Sequence, residues 1–522
     1  MDCLNLLYLF FSKPQITMKK ILLSLSIALS LSASVGAQTL PTNYTQTTII
    51  SGLVNPVAFD WLPDGRYVLT LKGSNSFPST NSIIKIYSSS GASLGDFYDL
   101  SSVTDSDFER GLLGITVDPD FTNNHYVYAY YNYRNSAQTD FRIRVVRLTE
   151  NANVGTNPTL ILDHQYATSN LYSGNHFGGI IKINPGEPTK LYIEIGDIAY
   201  NQGNATLNYA NKLTNPYGKV LRINTDGTIP TDNPFYDDGN PLAGNDDRIW
   251  SYGHRNMFGM CFSPVSDSMY VSENGWNDWD EFNIIHKGAN YGWSSCEGNF
   301  TVNTSGATTT PCSNPAFTAP LTTWGVPLPA VTGCVYYSGT VMPEFDNHIL
   351  VADNDYGRIY DLTLGNAPAY DIVTSKVTFA DITALRGLTD IKQGINGCIY
   401  ALKGGYTPTG DGALYRICPS TLGIDGAVAF ENVIGQNYPN PTSGKTQIDY
   451  TLAQDAVVTI ELFDVTGRKV KSILNQATSI GKHSVEIADL EKYADGSYFY
   501  KIEMKSNNKI VYSETKRMMV VK

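Results

Sequence analysis

A short apolar strand, a tight turn and a second strand recur six times along this chain. That repetition limits the fold more than any other feature. The instances are FDWLPDGRYVLT from Phe59, ITVDPDFTNNHYVYAYY from Ile115, IIKINPGEPTKLYIEIGD from Ile180, MCFSPVSDSMYVSEN from Met260, MPEFDNHILVADND from Met342 and TDIKQGINGCIYALKGG from Thr389. Each is a hairpin signal: β-formers on both sides of a Pro, Gly or Asn turn. They are spaced irregularly, roughly 65 residues apart, longer than a typical short propeller repeat, and long loops account for the excess. The pattern predicts an all-β chain with six four-stranded blades around an axis over residues 38–420. An array of β-sandwiches fits the regular alternation of hairpin and loop less well. No long amphipathic helix interrupts the span.

Composition agrees with this reading. The 522 residues include 34 Tyr and 45 Gly with only 16% charged residues, a balance suited to sheet with many turns. The formal net charge of -12 argues against a nucleic-acid partner. Lys19 and Lys20, the apolar stretch Ile21–Val35 and the small residues Val35-Gly36-Ala37 read as a secretory signal over residues 1–37, starting at Met18. The stretch is too short for a comfortable membrane span, and the mature chain offers no later one. Six cysteines follow the signal: Cys261, Cys296, Cys312, Cys334, Cys398 and Cys418. In an exported chain an even count argues for disulfides, with Cys296–Cys312 the first expectation and Cys398–Cys418 the second. Their spacings are not those of a zinc site.

The character changes near Ile424. After a linker at 421–430, residues 431–522 alternate apolar and polar positions between Gly, Asn and Asp turns, which predicts a small Ig-like β-sandwich. The opening Asn437-Tyr438-Pro439-Asn440-Pro441, the central Asp464-Val465-Thr466-Gly467-Arg468 and Gly496-x-Tyr498 resemble a type IX secretion sorting domain. That resemblance implies export through the periplasm and outer membrane, to the medium or the cell surface, with the secretion machinery as partner.

The polar residues with chemistry concentrate in DRIWSYGHRNMFGMCFSPVSDSMYVSENGWNDWDEFNIIHKGANYGWSSCEG, from Asp247 to Gly298. An Arg-Asn pair, a carboxylate cluster and several Gly turns lie there between strand-like stretches. With NPYGKVLRINTDGTIPTDNPF from Asn215, this run resembles the glucose/sorbosone dehydrogenase family. Those are six-bladed β-propellers, many of which oxidise sugars with pyrroloquinoline quinone (PQQ). Oxidising a hydroxyl needs a base for the O–H proton, and His suits that role near neutral pH.

The resemblance assigns the base to His176 in SGNHFGG, where Gly174, Gly178 and Gly179 would allow close approach of backbone and cofactor. It gives Arg255 and Asn256 to the charge on the quinone oxygens, and Glu109 in FERGLLG to the cofactor or the sugar. His254 would order its loop. A structural calcium would use Glu281 and the main-chain oxygen of Tyr291, within an acidic group that includes Asp278 and Asp280, and a second, cofactor-bridging calcium would lie near Gly275 and Trp276.

Three positions depart from the glucose-oxidising members. Asn175 stands where they carry an Asp beside the base. Asp355, in Asp353-Asn354-Asp355-Tyr356-Gly357-Arg358, replaces a basic residue that holds the PQQ carboxylates, with Arg358 the nearest compensating charge in sequence. Trp276 replaces a smaller residue. The expectation is a secreted PQQ-dependent aldose dehydrogenase with a sugar substrate and an unnamed electron acceptor. The alternative is a calcium-stabilised, non-catalytic propeller that binds glycan or protein.

Overall fold

The computed structural model describes residues 40–166, 174–198, 209–302, 308–382, 385–404, 410–420, 433–453, 455–478, 481–506 and 509–521. The expected signal at 1–37 and linker at 421–430 lie outside them. Among the described residues, six four-stranded antiparallel sheets follow one another as blades. The first holds Pro56–Trp61, Tyr67–Leu71, Ile83–Tyr87 and Ser93–Asp99, and the second Leu112–Val117, Tyr126–Arg134, Phe141–Asn151 and Val154–Tyr166. The third holds Ile181–Ile183, Lys190–Ile195, Lys219–Asn224 and Ile249–Tyr252, and the fourth Asn256–Phe262, Met269–Asn274, Trp279–Ile285 and Thr322–Gly325. The fifth holds Val331–Tyr337, His348–Asp353, Arg358–Gly365 and Ile372–Asp381. The sixth takes Leu388–Gln393, Ile399–Lys403 and Gly412–Pro419, and borrows Tyr44–Leu53 from the start of the propeller as its fourth strand.

That last pairing closes the ring. It runs antiparallel from Tyr44 opposite Pro419 to Leu53 opposite Gly412. Apolar residues on both faces of each blade explain why the blades need neighbours. Tyr128, Val145, Ile181 and Ile193 share one cluster between the second and third blades, and Met257, Val271, Tyr192 and Val220 another between the third and fourth. Leu69, Phe59, Leu402 and Leu414 join the sixth blade to the first. Fully burying one such side chain stabilises by about 1.5–3 kcal/mol, so a single exposed blade has far more to lose than a ring.

Five of the six hairpins read from the sequence are the first two strands of a blade. The fifth differs. Pro343–Phe345 forms a short 3-10 turn, and the blade's first strand is Val331–Tyr337 upstream of it. Proline lacks the N–H that a central strand must donate, so MPEF is the connection and not the strand.

Both expected disulfides are present, Cys296–Cys312 and Cys398–Cys418. The even count does not extend further: Cys261 and Cys334 are buried free thiols in the fourth and fifth blades.

The C-terminal segment forms two sheets. One holds Val433–Ile434, Thr446–Leu452 and Gly481–Ile487, and the other Lys469–Thr478, Ala456–Phe463, Gly496–Ser506 and Lys509–Val520. Ile448, Leu452 and Ile487 of the first sheet pack with Val458, Ile460, Tyr500 and Met518 of the second in one core, as a sandwich requires. Asn437 of the Asn-Tyr-Pro-Asn-Pro opening is buried and donates from Nδ2 to Pro439 O (3.1 Å) and Thr446 Oγ1 (3.0 Å).

Candidate functional site at the mouth of the propeller

Antiparallel blades put the start of the first strand and the end of the second at the same edge of the ring. Glu109 precedes the first strand of the second blade, and His176 that of the third. Asp197 follows the third blade's second strand, and Arg255-Asn256 opens the fourth blade. The topology therefore gathers residues far apart in sequence at one mouth.

His176 is buried, and its backbone lies in the left-handed region at φ 61°. For a non-glycine residue that costs about 1–2 kcal/mol. Two hydrogen bonds to carboxylates offset it, since such bonds contribute about 1.5–3 kcal/mol each. The main-chain N–H donates to Glu109 Oε2 at 2.6 Å, and Nδ1 meets Asp197 Oδ1 at 2.7 Å. A carboxylate at Nδ1 selects the tautomer that keeps its proton there and its lone pair on Nε2. Nε2 carries no hydrogen bond among the described residues.

Asp197 is the residue that the sequence did not mark. Burial works against its charge, but His176, Arg255 and the Trp293 indole N–H together hold its carboxyl below the usual range. Trp293 Nε1 donates to Asp197 Oδ2 at 2.7 Å, and the Asp197 N–H donates to Arg255 O at 2.7 Å. The missing Asp at position 175 thus leaves the imidazole oriented, from the next strand of the same blade.

Arg255 is buried, which depresses its guanidinium, while Asp197, Glu297, Glu109 and Asp280 oppose that shift. Nη1 donates to Asn274 O at 2.8 Å, the guanidinium lies 5.5 Å from the Trp293 ring centroid, and Nε has no acceptor. Asn256 Nδ2 donates to Glu109 Oε2 at 3.3 Å, and its Oδ1 has no donor. Glu109 therefore links the His176 and Asn256 loops. It also lines two cavities among the described residues. One, of about 60 Å³, is walled by Lys72, Gly178, Phe258, Thr332 and Asn354, and the other, larger and more open at about 550 Å³, by Asn75, Phe108 and Asn175.

The glycines allow close approach of neighbouring chain. A Cβ on Gly174 would strike Phe108 at 2.5 Å, and one on Gly178 would strike Glu194 O at 2.7 Å. They admit neighbouring protein at those points.

Glu281 lies behind this layer. Burial, then Glu273, with a smaller part from Glu297, pushes its carboxyl well above the ordinary value, although Asn283 and the Gly298 N–H oppose this. Burial first, then the same Glu273 and Glu281, also raises the Tyr291 phenol, so the two expected ligand residues share one acidic field. His254 orders this region. It bonds Ser251 Oγ and Glu273 Oε2, both at 2.9 Å, and stacks on Tyr291 with centroids 4.5 Å apart. Glu297 was also not foreseen. Its Oε1 accepts the N–H groups of Trp276, Asn277, Asp278 and Trp279 at 2.8, 3.1, 3.0 and 3.0 Å, while its buried Oε2 has no donor. Asp278, by contrast, turns away to Thr308, bonding its N–H and hydroxyl at 2.8 Å each.

Arg358 does not compensate Asp355. It is bound to Asp381 at 3.0 Å and lies over Tyr356. Arg386 does the balancing, opposing the upward shift that burial gives the Asp355 carboxyl and donating from Nε to Asp355 O at 2.6 Å.

The family model for glucose / sorbosone dehydrogenase matches residues 53–416, from just before the first blade into the strand Gly412–Pro419 of the sixth. The chain belongs to that family. A second model, the secretion system C-terminal sorting domain, matches residues 436–516, so this family member also carries a sorting domain for secretion. The chain is similar to quinoprotein glucose dehydrogenase B of Acinetobacter calcoaceticus, with 33% identity over 49% of this chain and 53% of that protein. It is also similar to an aldose sugar dehydrogenase of Escherichia coli (strain K12), with 26% identity over 60% of this chain and 78% of that one. The PQQ-bound aldose sugar dehydrogenase of Streptomyces coelicolor shares the fold, with a TM-score of 0.53 and 23% identity over 73% of this chain and 99% of that one.

Proposed function

We propose that this chain is a secreted, PQQ-dependent aldose dehydrogenase with His176 as general base. The observation that carries the reading is the His176–Asp197 pair at 2.7 Å, tied through Asp197 to Arg255 at the same mouth. In this reading a sugar hydroxyl enters the mouth and gives its proton to His176 Nε2. Asp197 holds the Nδ1 proton and stabilises the imidazolium that forms. PQQ, when bound, supplies the acceptor for the hydride that leaves the same sugar carbon.

Arg255 and Asn256 would hold the cofactor. The unpartnered Arg255 Nε offers a donor to an anionic oxygen, and the unpartnered Asn256 Oδ1 an acceptor to a hydroxyl. Glu109 fixes the base and Asn256 relative to each other. Calcium suits the set behind: Glu281, Glu273 and Glu297 put buried carboxylates in one field, and Glu297 Oε2 and Asn283 Oδ1 are buried oxygens without donors. Main-chain oxygens of Tyr291 and of the Gly275–Trp276 turn would complete such sites. The sorting domain supports type IX export to the cell surface or the medium.

The second reading, a calcium-stabilised propeller that binds glycan or protein without turnover, draws on Asp355, an acidic residue at the rim where an anionic cofactor would enter. One experiment separates the two. The full chain is incubated with PQQ and calcium, and dye reduction is followed with a panel of aldoses. The enzyme reading expects bound-cofactor absorbance and turnover with at least one aldose. Neither signal leaves the ligand-binding propeller.

A further inference from the structure

The loop that joins the third and fourth strands of the third blade, residues 225–248, folds three aspartates together. One carboxylate oxygen from each of Asp237, Asp238 and Asp247 lies within 4.8 Å of the others. Asp237 and Asp238 are exposed, but Asp247 is completely buried. Asp247 is turned into the cluster: its Oδ1 accepts the Asp237 N–H at 2.6 Å, and its Oδ2 has no donor among the described residues. Its main chain is fixed as well, since the buried Asn233 donates from Nδ2 to Asp247 O at 2.8 Å. The adjacent cation offers no relief. Arg248 is committed to Asp246 through Nε and Nη2, both at 2.7 Å.

A buried carboxylate oxygen without a donor or a cation is costly, commonly by several kcal/mol. Here it sits against two solvent-facing carboxylates whose mutual repulsion adds to that cost. Turns hold the two in place: Asp238 Oδ1 accepts the Asn240 N–H at 2.7 Å, and Asp237 Oδ2 accepts the Asn245 N–H at 2.9 Å. Carboxylates on a tight loop, with water on the open side, are the donor set of a hard, flexible-coordination cation.

We propose that this loop binds a calcium ion between Asp237, Asp238 and Asp247, at a site that shares no ligand with Glu273, Glu281 and Glu297. The ion ties the loop to the start of Ile249–Tyr252, the strand that leads directly to Arg255. It acts as a clasp on this loop and takes no part in the reaction. Because two of its ligands are exposed, its affinity falls in the weak range of extracellular modules, roughly 10⁻⁴–10⁻³ M.

The test is equilibrium dialysis of the EGTA-treated full chain against radioactive calcium at about 1 mM, within that range. The unmodified protein is compared with Asp238→Asn, Asp247→Asn and Glu281→Gln. Asp238→Asn, at an exposed position, keeps the fold and is expected to bind one calcium fewer per chain. Asp247→Asn is expected to lose the same ion, and the double variant Asp238→Asn/Glu281→Gln to lose one more than either single. Unchanged calcium in Asp238→Asn overturns the site, whatever Asp247→Asn does to folding. So does a protein whose calcium is abolished entirely by Glu281→Gln.

Discussion

At the scale of single residues, the account turns on how the imidazole of His176 is held. Asp197 does for His176 what no neighbour in sequence does: it fixes the Nδ1 proton, and so leaves the lone pair on Nε2. Asp197→Asn keeps the shape but offers the ring an amide whose N–H can reverse the tautomer. Turnover of the PQQ-loaded protein is expected to fall by about 10²–10⁴, the span general-base catalysis supplies, with PQQ affinity unchanged and the pH profile altered. A variant with normal kcat and pH profile would remove Asp197 from the mechanism.

A second residue-scale prediction concerns pH. Burial raises the Asp353 carboxyl from 3.8 to about 7, against hydrogen bonds from the Tyr356 N–H and Tyr360 hydroxyl. Between those values the folded chain keeps a proton that the unfolded chain has released. The stabilising contribution is therefore complete below about pH 4 and is lost as pH rises through about 7. Asp353→Asn should gain stability relative to the parent at pH 8 compared with pH 4, read from urea midpoints. An equal difference at both pH values would contradict the assignment.

The structure brings His176, Arg255 and Asn256 to one mouth, and the sequence singles them out because their motifs are local. Asp197 and Glu297 were not. Each acts across a loop or a strand, and nothing in the spacing of IGD or SSCEG marks which partner it will meet. Arg358 misled for the same reason: proximity in sequence placed it beside Asp355, while the blade pairs it with Asp381 on the neighbouring strand.

At the scale of elements, the hairpin signal was a good guide because a buried strand pair cannot hide its alternation or its turn. It failed only where a proline turn imitated a strand start, at Pro343. The cysteines show the limit of counting. Cys398 and Cys418 bracket two paired strands of the sixth blade, whereas Cys261 and Cys334 simply pack as small apolar side chains between blades. The Cys398–Cys418 bridge spans 20 residues of sequence in the blade that closes the ring. Loop-closure entropy gives such a bridge about 3 kcal/mol. The double variant Cys398→Ala/Cys418→Ala should lose about that much in chemical denaturation of the propeller. No change in the midpoint would mean that the strand Tyr44–Leu53 alone holds the ring shut.

At the scale of the molecule, closure of the ring is what makes a site. Six blades, each buried against the next, bring the starts of three first strands and the end of one second strand to a common mouth. The sequence predicts that ring, and it predicts the sandwich that follows. What local pattern leaves open is which of the mouth's polar residues face one another, because their separation in sequence is bridged only when the last blade pairs with the first. Cofactor titration and stopped-flow reduction of the His176→Gln protein test the central claim most directly. The account predicts PQQ binding equal to the unmodified chain and a rate of sugar oxidation lower by about 10²–10⁴. Oxidation by His176→Gln at the unmodified rate would contradict it.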